Sequence, residues 1–350
     1  MLHLQRPQVG DYPAITLAMP QGFSAIFGPS GAGKTHLLEQ IAGLRPLPKG
    51  SVLRFLDRDI SGLPSGARHL GIVFQHDELF PHLNVIDNIC FSWRYQPHCM
   101  SHEGLAEMLH SLGIPPAWHT LPVHRLSGGQ RQRVAIARAL YSQPKLVLLD
   151  EAVSALDQTA RQQVFQALKD YQQTHNACVI FISHNPNEVA QLADYVVLID
   201  GNGNLDEAGD VFAVFSHVDN SMAKDDSAGA ILHATHQGAL EGYHLSSLAI
   251  GRQIIICQHQ SGEQGDAVRL RIAARDVSIS LEPPTNTSIL NSLEVDIDDI
   301  SPHSQSHAML RLRIENQFML ARITQKSCDD LQLKRGQRVF AQVKSIALMG

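Results

Sequence analysis

Lys34 and Thr35 close the run Gly28-Pro29-Ser30-Gly31-Ala32-Gly33-Lys34-Thr35, whose spacing is that of a loop built to hold phosphate. Glycine carries no Cβ, so successive N–H groups can curl around an anion. An apolar run, Phe23-Ser24-Ala25-Ile26-Phe27, leads into the loop, and a helical pattern leads out of it. That helix contributes unsatisfied N–H groups and the positive end of its dipole. The geometry predicts that Lys34 reaches the β- and γ-phosphates of a nucleotide while Thr35 holds Mg²⁺.

Two further stretches carry matching chemistry. Leu146-Val147-Leu148-Leu149 delivers Asp150-Glu151 at the end of an apolar strand, the end at which open α/β sheets bind ligands. Asp150 suits Mg²⁺ coordination, and Glu151 suits a general base for an attacking water. Leu126-Ser127-Gly128-Gly129-Gln130 precedes a helical pattern over 131–141, with Val134, Ala137 and Leu140 on one face. Ser127 can cap that helix, and its two glycines expose the first N–H groups as a second anion-binding element.

The elements that position these groups are legible as alternating patterns. Ile15-Thr16-Leu17-Ala18-Met19 reads as a strand. Leu37, Leu38, Ile41 and Leu44 share a helical face that Pro46 and Pro48 are expected to end. Residues 51–74 read as short strands and turns, and 76–140 as helices with proline breaks. Apolar runs at 146–149, 179–182 and 196–199 have strand character, and 157–173 is an amphipathic helix. Strands alternating with helices predict an α/β nucleotide-binding domain over residues 1–216, with a mostly parallel sheet and a helical subdomain. Residues 217–245, rich in Ser, His, Ala and Gly, read as a linker with little structure. From 246 to 350 short strands dominate; 268–272 and 309–314 alternate with period two, and Glu315-Asn316 can turn the chain. These predict a small all-β barrel of OB-like type.

The totals bound the function. At 350 residues the chain is expected to form two or three domains. A net charge of −6 and a pI near 6.3 argue against a general nucleic-acid binder, whose mark is a basic excess. The five cysteines are dispersed without a CxxC pair and read as reduced thiols. Apolar runs long enough to span a membrane and a signal-peptide pattern are both missing, which predicts a soluble cytoplasmic protein unless a membrane partner recruits it. His98 with His102, and His233 with His236, lack the companion ligands of a metal site and read as solvated surface residues.

Taken in order, these motifs resemble the ATPase subunit of ABC transporters. LSGGQ is that family's signature and LVLLDE its second nucleotide motif. Gln75 matches its Q-loop, Ser154-Ala155-Leu156-Asp157 its D-loop, and His184, after Phe181-Ile182-Ser183, its switch histidine. The resemblance implies a P-loop ATPase that works as a homodimer, with each ATP held between one subunit's P-loop and the other's signature. Ser127 and Gly129 then act in trans, and Gly128, Gln130 and Asp157 are further ATP-binding candidates. His184 holds the γ-phosphate and the attacking water, and Gln75 links the metal site to the subdomain that touches a permease. Two departures stand out: Ala152-Val153 replaces the proline expected after Glu151, which should loosen the turn, and only Tyr12 offers an aromatic for adenine.

The C-terminal region is similar to that of molybdate-importer ATPases, in Ile272-Ala273-Ala274-Arg275-Asp276-Val277-Ser278, Thr287-Ser288-Ile289-Leu290-Asn291 and Ala341-Gln342-Val343-Lys344-Ser345. The last two fall in that family's small Mop barrel, here about 286–350. The resemblance implies candidate oxyanion contacts at Ser288, Asn291, Lys344 and Ser345, although Leu290 stands where the barrel often carries arginine. It also implies ATP and Mg²⁺ as cofactors, molybdate as a candidate ligand of the barrel, and a place on the cytoplasmic face of the inner membrane. The implied partners are permease subunits and, indirectly, a periplasmic or extracellular binding protein. The rival readings are the same engine importing tungstate, sulfate, thiosulfate or ferric iron, and a soluble oxyanion-storage or sensing protein.

Overall fold

A computed structural model describes residues 1–10, 13–76, 78–94, 99–240, 242–259 and 262–349. His98 and Tyr12 lie outside the described residues. The chain divides into two compact units, Met1–His184 with Leu192–Leu205, and Asn185–Gln191 with Asp206–Gly350.

The first unit is organised by parallel strands in the order Tyr195–Ile199, Gly22–Phe27, Cys178–Ile182, Leu146–Asp150, Leu70–Val73. Each central strand is a continuous apolar run, and Leu146–Asp150 and Cys178–Ile182 are buried along their whole length. This is what a sheet covered on both faces requires. The register pairs Ile26 with Ile182, Ile182 with Asp150, and Leu149 with Val73. The strand ends therefore lie level, and Gly28, His184, Glu151 and Gln75 follow four neighbouring strands at one edge. A smaller antiparallel sheet is formed by Ile15–Met19, Leu2–Arg6, Val52–Phe55 and Arg58–Asp59. The helix after the phosphate loop, Lys34–Ala42, stops before the prolines expected to end it. Gly43 takes the left-handed conformation (φ 75°), and its N–H donates back to Gln40. Leu44 consequently falls outside the helix and is 48% exposed.

The second unit holds two five-stranded antiparallel sheets around a shared apolar core. One runs in the order Gln253–Gln258, Leu245–Ile250, Gly229–Leu240, Ala267–Ala273, Ala347–Met349. The other, Val277–Ser280, Arg338–Val343, Asn291–Pro302, His307–Ile314, Gln317–Thr324, forms the half-barrel of an OB-like fold. Two expectations are corrected here. Residues 217–245 are not a featureless linker, because Gly229–Leu240 is the central strand of the first sheet. Ala230, Leu232 and Ala234 bury one face of it, and a bulge between His236 and Gly238 interrupts the alternation that would have revealed it. His236 belongs to this buried face and is 3% exposed, so it is not a solvated surface histidine.

Candidate active site

Gly28 must be glycine for a reason the motif does not disclose: a Cβ there would lie 2.2 Å from the Ile199 carbonyl oxygen on the adjacent strand. Gly31 and Gly33 take φ +83° and +81°, and Gly33 hands the loop to the helix Lys34–Ala42. Lys34 folds over its own loop, Nζ donating to the carbonyls of Gly28 at 2.8 Å and Pro29 at 2.7 Å. Burial pushes its ammonium pKa down, while Glu151 and Asp150 pull the other way. Beside Gly31, Ala32, Gly33 and Lys34 lies a cavity of about 180 Å³, which Arg6, Pro13, Ile15 and Ile199 also line. None of Ser127, Gly128, Gly129 and Gln130 lines it.

Asp150 ends its strand 2% exposed. Burial raises its carboxyl pKa, the Thr35 hydroxyl donating to it acts in the opposite sense, and the neighbouring Glu151 charge raises it further. The Thr35–Asp150 pair supplies only oxygen donors next to the lysine of the phosphate loop, and this donor set fits Mg²⁺.

Glu151 sits one residue beyond, in the left-handed region at φ 45°. Its N–H donates to the Ile182 carbonyl at 3.2 Å, and its own carbonyl accepts from the Ser154 N–H at 3.2 Å. Ala152 and Val153 are buried beneath this turn. The turn is thus closed by hydrogen bonds and packing without the proline. One carboxylate oxygen accepts from Gln75 Nε2 at 3.1 Å, and the other lies 3.1 Å from His184 Nδ1. Two residues that follow neighbouring strands thus meet on the carboxylate of a third.

The signature residues form a capping box. Ser127 Oγ accepts the Gln130 N–H at 3.3 Å, and Gln130 Oε1 accepts the Ser127 N–H at 2.8 Å. The helix they start is Gly128–Tyr141. A Cβ on Gly129 would come within 3.0 Å of the Ala155 carbonyl oxygen, so the D-loop packs against the signature within one chain. Gln132 fastens the two together, its Oε1 accepting the Ala155 N–H at 3.1 Å. Sequence reading missed Gln132, whose only signal is a polar residue on the otherwise apolar buried face of its helix. Asp157, expected near nucleotide, caps the helix Gln158–His175 by accepting the Ala160 N–H at 2.8 Å. Arg161, on that helix's first turn, donates to the Leu156 carbonyl at 2.9 Å.

The oxyanion residues divide. Ser288, Lys344 and Ser345 are exposed, and pairing of Asn291 with Val343 brings their two segments side by side. Asn291 itself is 7% exposed. Its amide is engaged with Ile256, accepting that N–H at 2.6 Å and donating to that carbonyl at 2.9 Å. These two bonds give it a structural role, clamping the strand Gln253–Gln258 to the strand Asn291–Pro302.

Comparison with known proteins agrees with this geometry. The ABC transporter family model matches residues 15–154, and the TOBE domain model matches residues 287–349. The chain is 38% identical to the molybdenum import ATP-binding protein ModC of Hahella chejuensis, covering 94% of this chain and 92% of that one. It is 37% identical to the protein of the same name from Albidiferax ferrireducens, covering 94% and 90%. An ATP-binding cassette solved as a dimer in a post-hydrolysis state bound to ADP and Pi shares the fold, with TM-score 0.53 and 26% identity over 60% of this chain and 98% of that one. The chain belongs to the molybdenum import ATP-binding family of ABC transporters.

Proposed function

We propose that the chain hydrolyses ATP to drive molybdate uptake through partner permease subunits, acting as a homodimer at the cytoplasmic face of the membrane. The observation that carries the chemistry is the Glu151 carboxylate held between Gln75 and His184 at 3.1 Å on each side. Glu151 takes the proton of the attacking water, and Gln75 and His184 fix the direction in which its oxygens point. Lys34 exchanges its two loop carbonyls for the β- and γ-phosphate oxygens, and the loop N–H groups bind the rest of the phosphate chain. Thr35 and Asp150 hold Mg²⁺, with Gln75 at the same edge; the metal, when bound, neutralises charge developing on the phosphate oxygens.

The hydrolytic groups of one subunit leave the γ-phosphate side of the site open, and Ser127, Gly128 and Gly129 of a second subunit complete it. Support comes from the signature lying outside the P-loop cavity and from the dimeric cassette with the same fold. None of the described helices is long and apolar enough to cross a membrane, so the permease must come from other chains. The relatives' names support molybdate as cargo, and an extracytoplasmic binding protein would deliver it to the permease. Transport of labelled molybdate, tungstate and sulfate by the reconstituted complex tests the cargo: ATP-dependent uptake of molybdate is expected, and uptake of sulfate alone would overturn it.

A further inference from the structure

Arg271 is buried, at 6% exposure, in the strand Ala267–Ala273, where it pairs with Ile231 and Ala347 while its side chain bonds outside the sheet. Its neighbours Leu270 and Ile272 face the apolar core, and Arg271 points from the opposite face. Nη1 donates to Asn187 Oδ1 at 3.0 Å, Nη2 donates to the Ser227 carbonyl, and Nε has no partner among the described residues. Ser227 is itself held in a turn: Asp225 Oδ1 accepts its N–H at 2.7 Å, two residues before the central strand Gly229–Leu240 begins. The grip on Asn187 is thus anchored in the C-terminal sheet.

Asn187 lies three residues after His184. Asn185, directly following the histidine, starts the helix Pro186–Leu192. Its Oδ1 accepts the Asn187 N–H at 3.0 Å, and its carbonyl accepts the N–H groups of Glu188 at 3.1 Å and Val189 at 3.3 Å. Residues Asn185–Gln191 also group with the C-terminal unit rather than with the residues on either side of them. Among the described residues the hydrogen bonds of Arg271 go to neutral acceptors, with Arg275 repelling and Asp276 attracting its charge, so the bonds supply direction rather than a direct ion pair. Burial pushes its pKa down to about 10, so the guanidinium remains charged at neutral pH.

We propose that Arg271 is a positioning residue for His184: by holding Asn187 it fixes the turn that aims the histidine at Glu151, and so makes ATP turnover depend on the C-terminal sheet. This rests on the ATPase reading above. The groups that bind nucleotide are untouched by the Arg271–Asn187 contact, so the effect belongs in kcat and not in KM.

Steady-state ATPase kinetics on the full chain test this. Arg271→Gln and Asn187→Ala are each expected to lower kcat roughly tenfold with KM unchanged within about twofold. The double variant is expected to be no worse than either single one, and Arg271→Lys, which keeps the charge and one hydrogen bond, to recover part of the loss. Asn187 is exposed, so its truncation spares the core if Arg271→Gln proves unable to fold. Unchanged kcat in both variants, a loss confined to KM, or losses that multiply in the double variant would overturn the proposal. The two readings fail separately: no hydrolysis by the unaltered chain sinks the ATPase assignment, whereas hydrolysis indifferent to both substitutions sinks only this one.

Discussion

Gln75 and Glu151, 76 residues apart in sequence, meet at 3.1 Å because their strands are neighbours in one parallel sheet. The contact ties Gln75, which follows the strand Leu70–Val73, to the carboxylate proposed above to activate water. His184 completes the arrangement from the next strand. On that proposal, any movement that shifts Gln75 acts on the base directly.

Replacing Glu151 with Gln keeps both hydrogen-bond partners within reach but removes the base. Turnover should fall by roughly 10²–10⁴-fold, with nucleotide affinity preserved by the intact phosphate loop. The variant should accumulate as an ATP-bound dimer, visible by size-exclusion chromatography with light scattering. Near-normal hydrolysis would mean that another group takes the proton.

Ser127 and Lys34 give a test of the shared site. Ser127→Arg adds bulk and charge at the start of the helix Gly128–Tyr141, where the partner's γ-phosphate is expected to dock. Each of Ser127→Arg and Lys34→Ala should be inactive alone. Their mixed dimer contains one site with both defects and one with neither, so mixing should restore up to half of the activity per mixed dimer. If the signature served the P-loop of its own chain, titration of one variant into the other would restore nothing.

Much of this site was legible because the family of motifs is local: Gly28–Thr35, Ser127–Gln130 and Asp150-Glu151 each occupy a single turn. The parallel sheet followed from apolar strand-like runs alternating with helical stretches. What escaped notice depends on residues far apart in sequence. Gly28 is dictated by the Ile199 carbonyl, Gln132 by Ala155, and Asn291 by Ile256. The strand Gly229–Leu240 escaped because its polar residues and its bulge mask the period-two signal. Asp157, placed by a motif, has in addition a local duty that the motif does not disclose, since its side chain caps a helix.

Asp150 predicts a conflict between stability and function. Burial raises its carboxyl pKa above the unfolded value, so the native state binds that proton more readily than the unfolded chain does. The charge accordingly costs stability once pH rises through the raised value, and costs nothing below the ordinary carboxylate range near about 4. Asp150→Asn, which still accepts a hydrogen bond from Thr35, should therefore raise the thermal midpoint of the nucleotide-free chain at pH 7. The gain should vanish in acid, and Mg²⁺-dependent turnover should fall on the order of 10–100-fold. A lower midpoint at pH 7 would show that the charge stabilises the native state.

Asn291 and Leu290 separate structure from anion binding in the C-terminal half-barrel. Asn291→Ala removes both hydrogen bonds to Ile256 and leaves its backbone N–H and carbonyl unpartnered. A cost of about 1–3 kcal/mol per group is expected, read as a lower urea midpoint, with molybdate binding unchanged in the protein that remains folded. Leu290, 64% exposed, adjoins the exposed Ser288 and lies next to the segment carrying Lys344 and Ser345. With no arginine there, molybdate has only hydroxyl, backbone and one lysine donor, so weak binding is expected. Leu290→Arg adds a bidentate donor and should tighten binding by roughly ten- to a hundredfold. Calorimetry on the full chain is the appropriate measurement, because a fragment starting at residue 246 would lack the central strand Gly229–Leu240. Tight binding by the unaltered chain, or no gain from the arginine, would remove Leu290 as the limiting residue; a loss of binding in Asn291→Ala at full folding would return that amide to the anion site.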